Sequence, residues 1–124
     1  MKWVLDFLLD RPQFVECSHS KSDVVITNIG APQGCVLSPV LFTSYTNDCR
    51  SSREDVVPLL KFADDTTLQG LINVNDEAAY RSEIERFVMW CEDNFLKLNT
   101  SKTKELIFDF RKNKSDLQAI SIKK

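Results

Sequence analysis

Two adjacent aspartates, Asp64 and Asp65, lie between apolar segments of the chain. We interpret these segments as strands over residues 56–63 and 66–72, because they combine branched apolar residues with threonine. Neighbouring side chains of a continuous strand point to opposite faces, so both carboxylates can approach one ligand only at a tight turn. The sequence therefore predicts a β-hairpin with Asp64 and Asp65 at its turn.

A divalent cation would offset the repulsion between these two carboxylates. Magnesium prefers oxygen ligands and keeps coordination positions for water and substrate phosphates, so a few carboxylates suffice to hold it. The alternative is a solvated Asp-Asp turn without metal, because aspartate favours turns for local reasons. The dipeptide alone favours the solvated turn, and the surrounding sequence has to decide between the two interpretations.

The other elements are predicted from apolar spacing and from turn residues. A polar run, Ser18 to Ser22, separates two strand-like segments and indicates a hairpin. Ser38-Pro39 is typical of a helix N-cap followed by proline at the first helical position. We predict helices over residues 2–10, 39–49 and 76–98, and further strands over residues 14–17, 23–27, 105–110 and 117–122. This order predicts a single α+β domain over residues 1–124, with an antiparallel sheet covered by two helices.

The clearest predicted helix begins after Asn75 or Asp76, either of which is a suitable cap, and ends near Leu98. We expect its apolar face to pack on the sheet and to contribute much of the stability. That face consists of residues at three- and four-residue steps: Tyr80, Ile84, Phe87, Val88, Cys91, Phe95 and Leu98.

Charge and cysteine content exclude some classes of protein. The chain has 16 Lys and Arg residues against 18 Asp and Glu residues. A freestanding nucleic-acid-binding protein usually carries a basic surface, and this chain as a whole does not have that composition. The four cysteines form no Cys-x-x-Cys pair and His19 is the one histidine, so no zinc site is expected. Scattered cysteines are typical of a reduced intracellular protein.

The opening segment MKWVLDFLLDRP imitates a signal peptide, but Asp6 interrupts its short apolar run and no small-residue cleavage site follows. No stretch is long enough to span a membrane. We therefore expect an intracellular protein, in the cytoplasm or nucleus, without a signal peptide or membrane partner.

Three short motifs occur in order along the chain: Ala31-Pro32-Gln33-Gly34, Phe62-Ala63-Asp64-Asp65 and Leu98-Asn99-Thr100-Ser101-Lys102-Thr103. Each is common alone, but together they resemble the reverse transcriptase of non-LTR (LINE-type) retrotransposons. The opening WVLDFLLDRPQ is similar to the family segment ahead of the Pro-Gln-Gly loop, so the resemblance covers nearly the whole chain.

The resemblance implies a partial polymerase palm in which Asp64 is the main magnesium ligand and Asp65 a more peripheral one. In such a palm, two metal ions stabilise the attacking 3′-oxygen and the leaving pyrophosphate. Both aspartates are therefore assigned to the catalytic and metal site. The RNA template, DNA primer and dNTP are the partners that the family implies for the full-length parent.

The other two motifs supply further candidate site residues. By resemblance, Pro32, Gln33 and Gly34 lie beside the template and the incoming nucleotide, and the alternative for this loop is a plain turn. Lys102 matches the family lysine that protonates departing pyrophosphate, and the alternative is a solvated lysine. Phe62 is grouped with the nucleotide and template residues, and we expect its ring in the core.

The sequence departs from the family pattern in one important respect. The palm needs another aspartate, on an upstream strand within an Asp-x-x-x-Ala-Phe motif, and nothing in residues 1–124 matches it. Asp6 is a superficial candidate, but its neighbours Trp3, Phe7 and Asp10 fit helical spacing. Ala31 also occupies the position ahead of Pro-Gln-Gly where the family usually has Ser or Thr. The chain is therefore expected to be the C-terminal part of a palm, without the upstream strand, fingers and thumb.

Two functions from different classes remain. One is a fragment of an RNA-directed DNA polymerase, which as an isolated chain is inactive and prone to aggregation. The other is a decayed or retained non-catalytic fragment that acts, if at all, as a binding module. A nucleotidyl cyclase-like palm also uses paired carboxylates, but it explains neither the Pro-Gln-Gly loop nor the Asn-x-x-Lys-Thr segment.

Overall fold

A computed structural model describes residues 2–72, 76–112 and 119–122, and combines α-helices with short antiparallel strand pairs. The predicted α+β class is confirmed. The chain forms two compact units, residues 1–46 and residues 47–124. Among the described residues, no helix has the length and apolar character needed to cross a bilayer.

The first unit begins with a helix and a hairpin. Helix α1, Lys2–Leu8, ends two residues before the predicted boundary, and Asp10 follows with a left-handed φ of 50°. The predicted polar run contains the hairpin turn, at Ser18 and His19, but Ser20–Lys21 inside the run forms a strand. Residues 14–15 and 22–24 of the predicted pattern are not in strands. The four strands are β1 (Arg11–Gln13), β2 (Glu16–Cys17), β3 (Ser20–Lys21) and β4 (Val25–Thr27), with β1 paired to β4 and β2 to β3.

Helix α2, Leu37–Tyr45, completes the first unit. The prediction of Ser38 as its N-cap is wrong, because the helix begins two residues before the predicted start, with Val36 at the N-cap and Ser38 inside the first turn. The Ser38 hydroxyl instead donates to the carbonyl oxygen of Pro32 at 2.5 Å. Its Oγ therefore satisfies a loop carbonyl rather than an unpaired helix amide.

The second unit contains the hairpin of strands β5 (Leu59–Phe62) and β6 (Asp65–Leu68), followed by helix α3 (Ala78–Asp93). Its buried apolar side chains are few among the described residues: Cys49, Val57 and Cys91. The described strands form three separate two-stranded sheets instead of one continuous sheet. In residues 2–72, 76–112 and 119–122, each pair is short and has no third strand beside it, so this part of the chain does not form the continuous sheet predicted from the sequence.

Both ends of helix α3 have identifiable causes. Glu77, one residue after the predicted Asp76, is the N-cap residue and makes no side-chain cap hydrogen bond. Asp76 Oδ1 accepts a hydrogen bond from the amide of Ala78 at 3.1 Å just before the helix, whereas Asn75 lies outside the described residues. At the other end, the amide of Phe95 donates to the Glu92 carbonyl at 3.1 Å, and that of Leu96 to the Cys91 carbonyl at 2.8 Å. These two bonds, with a left-handed φ of 55° at Phe95, constitute a Schellman motif.

This motif ends the helix at Asp93, five residues before the predicted end. Phe95 is 96% exposed, so it does not belong to the packed face of the helix. The predicted apolar stripe is therefore interrupted after Cys91.

The predicted strand over residues 105–110 is wrong, because this described segment has no strand pairing. Its large apolar side chains are exposed, Phe110 at 94%. A strand needs a partner for its backbone amides and carbonyls, and local β propensity does not supply one. Of the strand predicted over residues 117–122, only 119–122 are described, without strand structure, and 117 and 118 lie outside the described residues.

Candidate active site

The β5–β6 hairpin positions the two adjacent aspartates. Phe62 pairs with Asp65, so Ala63 and Asp64 form a two-residue connection. Ala63 has a φ of 52°, and a positive φ at the first of two connecting residues is the feature of a type II′ turn. Glycine is the usual residue there, since a left-handed conformation costs an L-residue about 1–2 kcal/mol. The flanking strand pairing therefore stabilises a turn that alanine alone disfavours.

Both aspartates are exposed on this hairpin. Asp64 lies in the turn and Asp65 is the first residue of β6. Exposed carboxylates keep their hydration and stay open to a cation from solvent. Within the described ranges, no group of three or more His, Cys, Asp and Glu side chains is arranged to hold a metal ion. Asp6, the superficial third candidate, lies in helix α1.

Phe62 is 83% exposed, so its predicted place in the core is wrong. Leu60, two residues earlier in the same strand, is also exposed. Residues at i and i+2 of a strand share a face, and no further strand of the described chain pairs with this hairpin. The apolar face beside Asp65 is therefore accessible to solvent in this chain.

The Pro-Gln-Gly loop connects β4 to α2 and contains two glycines in left-handed conformations, Gly30 with a φ of 68° and Gly34 with a φ of 73°. A Cβ added at Gly34 would meet nothing within 4 Å, so its backbone angle rather than crowding requires glycine. Gln33 and Gly34 are exposed, whereas Pro32 is half-buried and its carbonyl is bonded by Ser38. The loop therefore presents its Gln-Gly tip to solvent.

Lys102 lies in a compact turn organised by Asn99. The carbonyl oxygen of Asn99 accepts hydrogen bonds from the amides of Lys102 and Thr103, both at 3.0 Å. It also accepts one from the Thr103 hydroxyl at 2.9 Å. The side chain of Lys102 is exposed, and no hydrogen bond or ion pair of the described chain joins it to Asp64 or Asp65. The Asn99–Thr103 segment therefore forms a local turn whose hydrogen bonds do not include the two carboxylates.

A buried carboxylate in the same unit was missed at the sequence level. Glu83 of α3 is 2% exposed and accepts hydrogen bonds from Ser51 Oγ and the Ser52 amide, each at 3.1 Å. The Ser52 hydroxyl bonds it as well, and Arg86 forms an ion pair with it at 3.0 Å. Arg86 three residues away was a visible signal, but the serines lie over thirty residues earlier in the sequence.

These contacts determine the ionisation of Glu83. Burial alone would raise its pKa, but the hydrogen bonds from the Ser52 hydroxyl and amide, Arg86 and Ser51 lower the pKa to about 2. The side chain is therefore an anion at neutral pH. It is fully engaged with the 51–53 turn, so its role is to hold that turn against α3.

Comparison with known proteins identifies the family. Residues 1–119 match the reverse transcriptase (RNA-dependent DNA polymerase) family. This chain belongs to the reverse transcriptase family. The matched region contains all three motifs, including Asp64 and Asp65 at the hairpin, and it extends over both compact units.

A Drosophila melanogaster protein, described as a probable RNA-directed DNA polymerase from transposon BS, is 32% identical to this chain over 105 residues. The aligned region covers 78% of the chain but 12% of the relative. The chain thus spans a small part of the relative's length. No solved structure matches it.

The two buried cysteines of the chain, Cys49 and Cys91, are not suited to nucleophilic chemistry. Burial, then the neighbouring Cys49 and Glu92, raises the pKa of the Cys91 thiol to about 11. Burial also raises the pKa of Cys49, against the lowering effect of Lys61 and Arg86. A reactive cysteine needs the thiolate form near neutral pH, so both thiols are packing groups.

Proposed function

We propose that this chain is part of the palm of an RNA-directed DNA polymerase from a non-LTR retrotransposon, and that Asp64 and Asp65 hold its catalytic magnesium. The observation that supports this most is the position of the adjacent carboxylates on the β5–β6 hairpin, Asp64 in its two-residue turn and Asp65 at the start of β6, inside the family match. The single-domain interpretation is also part of the proposal, since the match extends over residues 1–119.

The donor chemistry of the turn fits magnesium. Two exposed carboxylates offer hard oxygen ligands and leave room for water and phosphate oxygens. When bound, magnesium supplies positive charge where negative charge develops on the entering and leaving oxygens of nucleotidyl transfer. Asp64 and Asp65 would fix the position of that charge at the tip of the hairpin. Two carboxylates without a third make weak binding the expected result in this chain.

The remaining site residues keep the roles that the family resemblance implies. In the full-length parent, Pro32, Gln33 and Gly34 would lie beside the template and the incoming dNTP. The exposed Gln33–Gly34 tip supports this role, because it offers backbone and amide groups to a ligand. Lys102 would donate a proton to departing pyrophosphate, and its exposed side chain supports an approach to a substrate. Phe62 would contact the nucleotide or template from its exposed position.

We further propose that the isolated chain does not polymerise DNA. Loose placement of the reacting groups is costly in phosphoryl transfer, and no third acidic, His or Cys side chain of the described residues joins Asp64 and Asp65 in a metal-binding group. A net charge of −2 also disfavours capture of a primer–template, because phosphate contacts with Lys and Arg dominate nucleic-acid affinity. The exposed apolar residues on β5 and the 105–110 segment make the isolated chain prone to aggregation.

The metal assignment is tested by titrating the 124-residue chain with Mg²⁺ in a calorimeter, and with Mn²⁺ while recording NMR line broadening. Weak binding that disappears in Asp64→Asn is expected. Glu54 and Asp55 provide the matched control, because they are also adjacent, exposed and acidic in the same unit. Asp55→Asn should leave binding and broadening unchanged. Equal losses in both variants would mean a diffuse ion atmosphere and would remove the metal assignment.

The inactivity is tested by primer extension on an RNA template with Mg²⁺ or Mn²⁺, comparing the chain with Asp64→Ala. No extension is expected from either. Extension that depends on Asp64 would refute the proposed inactivity and would make Asp6 the first residue to test as the third ligand.

A further inference from the structure

We propose that Arg11 is a positioning residue for the Pro-Gln-Gly loop, which gives this loop a defined conformation before any ligand binds. Arg11 is the first residue of β1, just after α1, and its guanidinium reaches the segment that enters the loop. Nη2 donates to the carbonyl oxygens of Ile29 and Gly30, both at 2.7 Å. Nε donates to the Leu8 carbonyl at the end of α1, at 3.0 Å.

The backbone around Arg11 reinforces this arrangement. Arg11 pairs with Thr27 in the β1–β4 ladder, and the amide of Asp10 donates to Asn28 Oδ1 at 2.5 Å. The chain thus arrives at Ile29 with its direction determined by β4. The guanidinium then fixes the next two carbonyls, immediately before Ala31.

A second contact fixes the other side of the loop. The Ser38 hydroxyl, in the first turn of α2, donates to the Pro32 carbonyl at 2.5 Å. The entry to the loop is therefore held by Arg11 and its middle by Ser38. Gln33 and Gly34 lie between Pro32 and α2 as the exposed tip.

Arginine is required here by geometry, not by charge alone. A guanidinium is a planar group with five N–H donors, whereas the lysine ammonium is a compact charge on a flexible stem. Three carbonyl oxygens from two segments match the planar group. A positive charge after α1 could also act simply on the helix C-terminus, and lysine would replace arginine in that role. The Arg11→Lys variant separates the two explanations.

The significance of this contact rests on the proposed function, because the loop matters to polymerisation only if it lies beside the template and nucleotide. The conformation of the loop can be measured without metal, nucleotide or template. A failure of the metal titration therefore leaves the loop measurement intact, and a failure of the loop measurement leaves the metal assignment intact.

The chain has 3 glycines, which makes the experiment simple. Selective ¹⁵N-glycine labelling gives signals from Gly30 and Gly34, which flank the loop, and from Gly70 in the other unit as an internal control. In Arg11→Lys, we expect the order parameters of Gly30 and Gly34 to fall from about 0.85 to below about 0.6, while Gly70 stays unchanged. Ser38→Ala should lower the value at Gly34 more than at Gly30. Arg111→Lys, in the other unit, is the matched control and should change neither loop glycine.

Selective ¹⁵N-valine labelling of the same variants reports on Val25 in β4. Loss of order at Gly30 and Gly34 with Val25 unchanged supports the proposal. Retention of both glycine values in Arg11→Lys would overturn it in favour of a charge effect on α1. Simultaneous loss at Val25 would overturn it in favour of general support of the hairpin.

Discussion

The Ser51 hydroxyl donates a hydrogen bond to the buried carboxylate of Glu83 at 3.1 Å, and this pair connects the 51–53 turn to helix α3. The Ser51 Oγ also accepts a hydrogen bond from the Arg53 amide at 3.1 Å. Glu83 carries a further ion pair to Arg86, whose guanidinium also bonds the Arg50 carbonyl. The buried carboxylate is therefore the centre of a network that replaces apolar packing at this contact.

Removal of this carboxylate should destabilise the chain more than removal of an exposed one. Glu83→Ala leaves the buried Ser51 hydroxyl without its acceptor and removes the ion-pair partner of Arg86, whose side chain is 39% exposed. An unsatisfied buried donor costs about 1–3 kcal/mol. Glu85→Ala, an exposed position on the same helix, should change the free energy of unfolding by less than about 0.5 kcal/mol. Urea denaturation of both variants measures the difference. Equal, small effects would show that water replaces the network.

The same carboxylate should make stability dependent on pH in acid. Its pKa falls from an ordinary 4.5 to about 2 on folding, so the unfolded state binds more protons between these values. The stabilisation is present above pH 4.5 and is lost as pH falls towards 2, by about 3 kcal/mol. Glu83→Gln should remove this part of the acid dependence. Denaturation midpoints from pH 6 to pH 2 check it, and parallel curves for the chain and the variant would contradict it.

Close packing of Tyr80 on Gly70 gives a second test of how α3 is held. A Cβ at Gly70 would lie 2.6 Å from Tyr80 Cδ2 and 2.8 Å from Cγ, near the base of the ring. Gly70→Ala should therefore destabilise the chain by about 1–3 kcal/mol through overpacking. In a Tyr80→Ala background the same change should cost much less. A double-mutant cycle measures this coupling, and purely additive effects would mean that the ring moves away freely.

Local signals in the sequence were sufficient for the glycine loop, for the strands beside Asp64 and Asp65 and for the start of helix α1. The glycines at 30 and 34 indicated a loop that the structure contains with left-handed backbone angles. Apolar segments around Asp64 and Asp65 indicated two strands, and β5 and β6 lie there. In each of these cases the information lies within a few residues of the element it specifies.

Contacts between residues far apart in the sequence could not be predicted from local signals. Glu83 is one of several charged residues of helix α3, and only the fold brings Ser51 beside it. The 105–110 segment has the composition of a strand, but pairing depends on a partner that composition does not reveal. Phe62 has the character of a core residue and is exposed, because burial depends on what covers the hairpin.

The end of helix α3 provides a final prediction, because its Schellman motif has phenylalanine where glycine is usual. Phe95 has a φ of 55°, a conformation that is strained for a residue with a Cβ. Its side chain is 96% exposed, so the ring adds little packing to offset that strain. Phe95→Gly should stabilise the chain by about 0.5–1 kcal/mol, the strain relief being reduced by the greater freedom of glycine in the unfolded state.

Phe95→Ala is the matched control, since it removes the ring but keeps the Cβ that causes the strain. Its free energy of unfolding should stay within about 0.5 kcal/mol of the parent. Urea denaturation at several protein concentrations measures both variants. Destabilisation by both substitutions that grows with protein concentration would show instead that the ring is covered in solution by a second copy.

The absence of a glycine after Asn94 also explains why the apolar periodicity predicted five further residues of helix. The helix ends through backbone hydrogen bonds that the side-chain pattern does not predict.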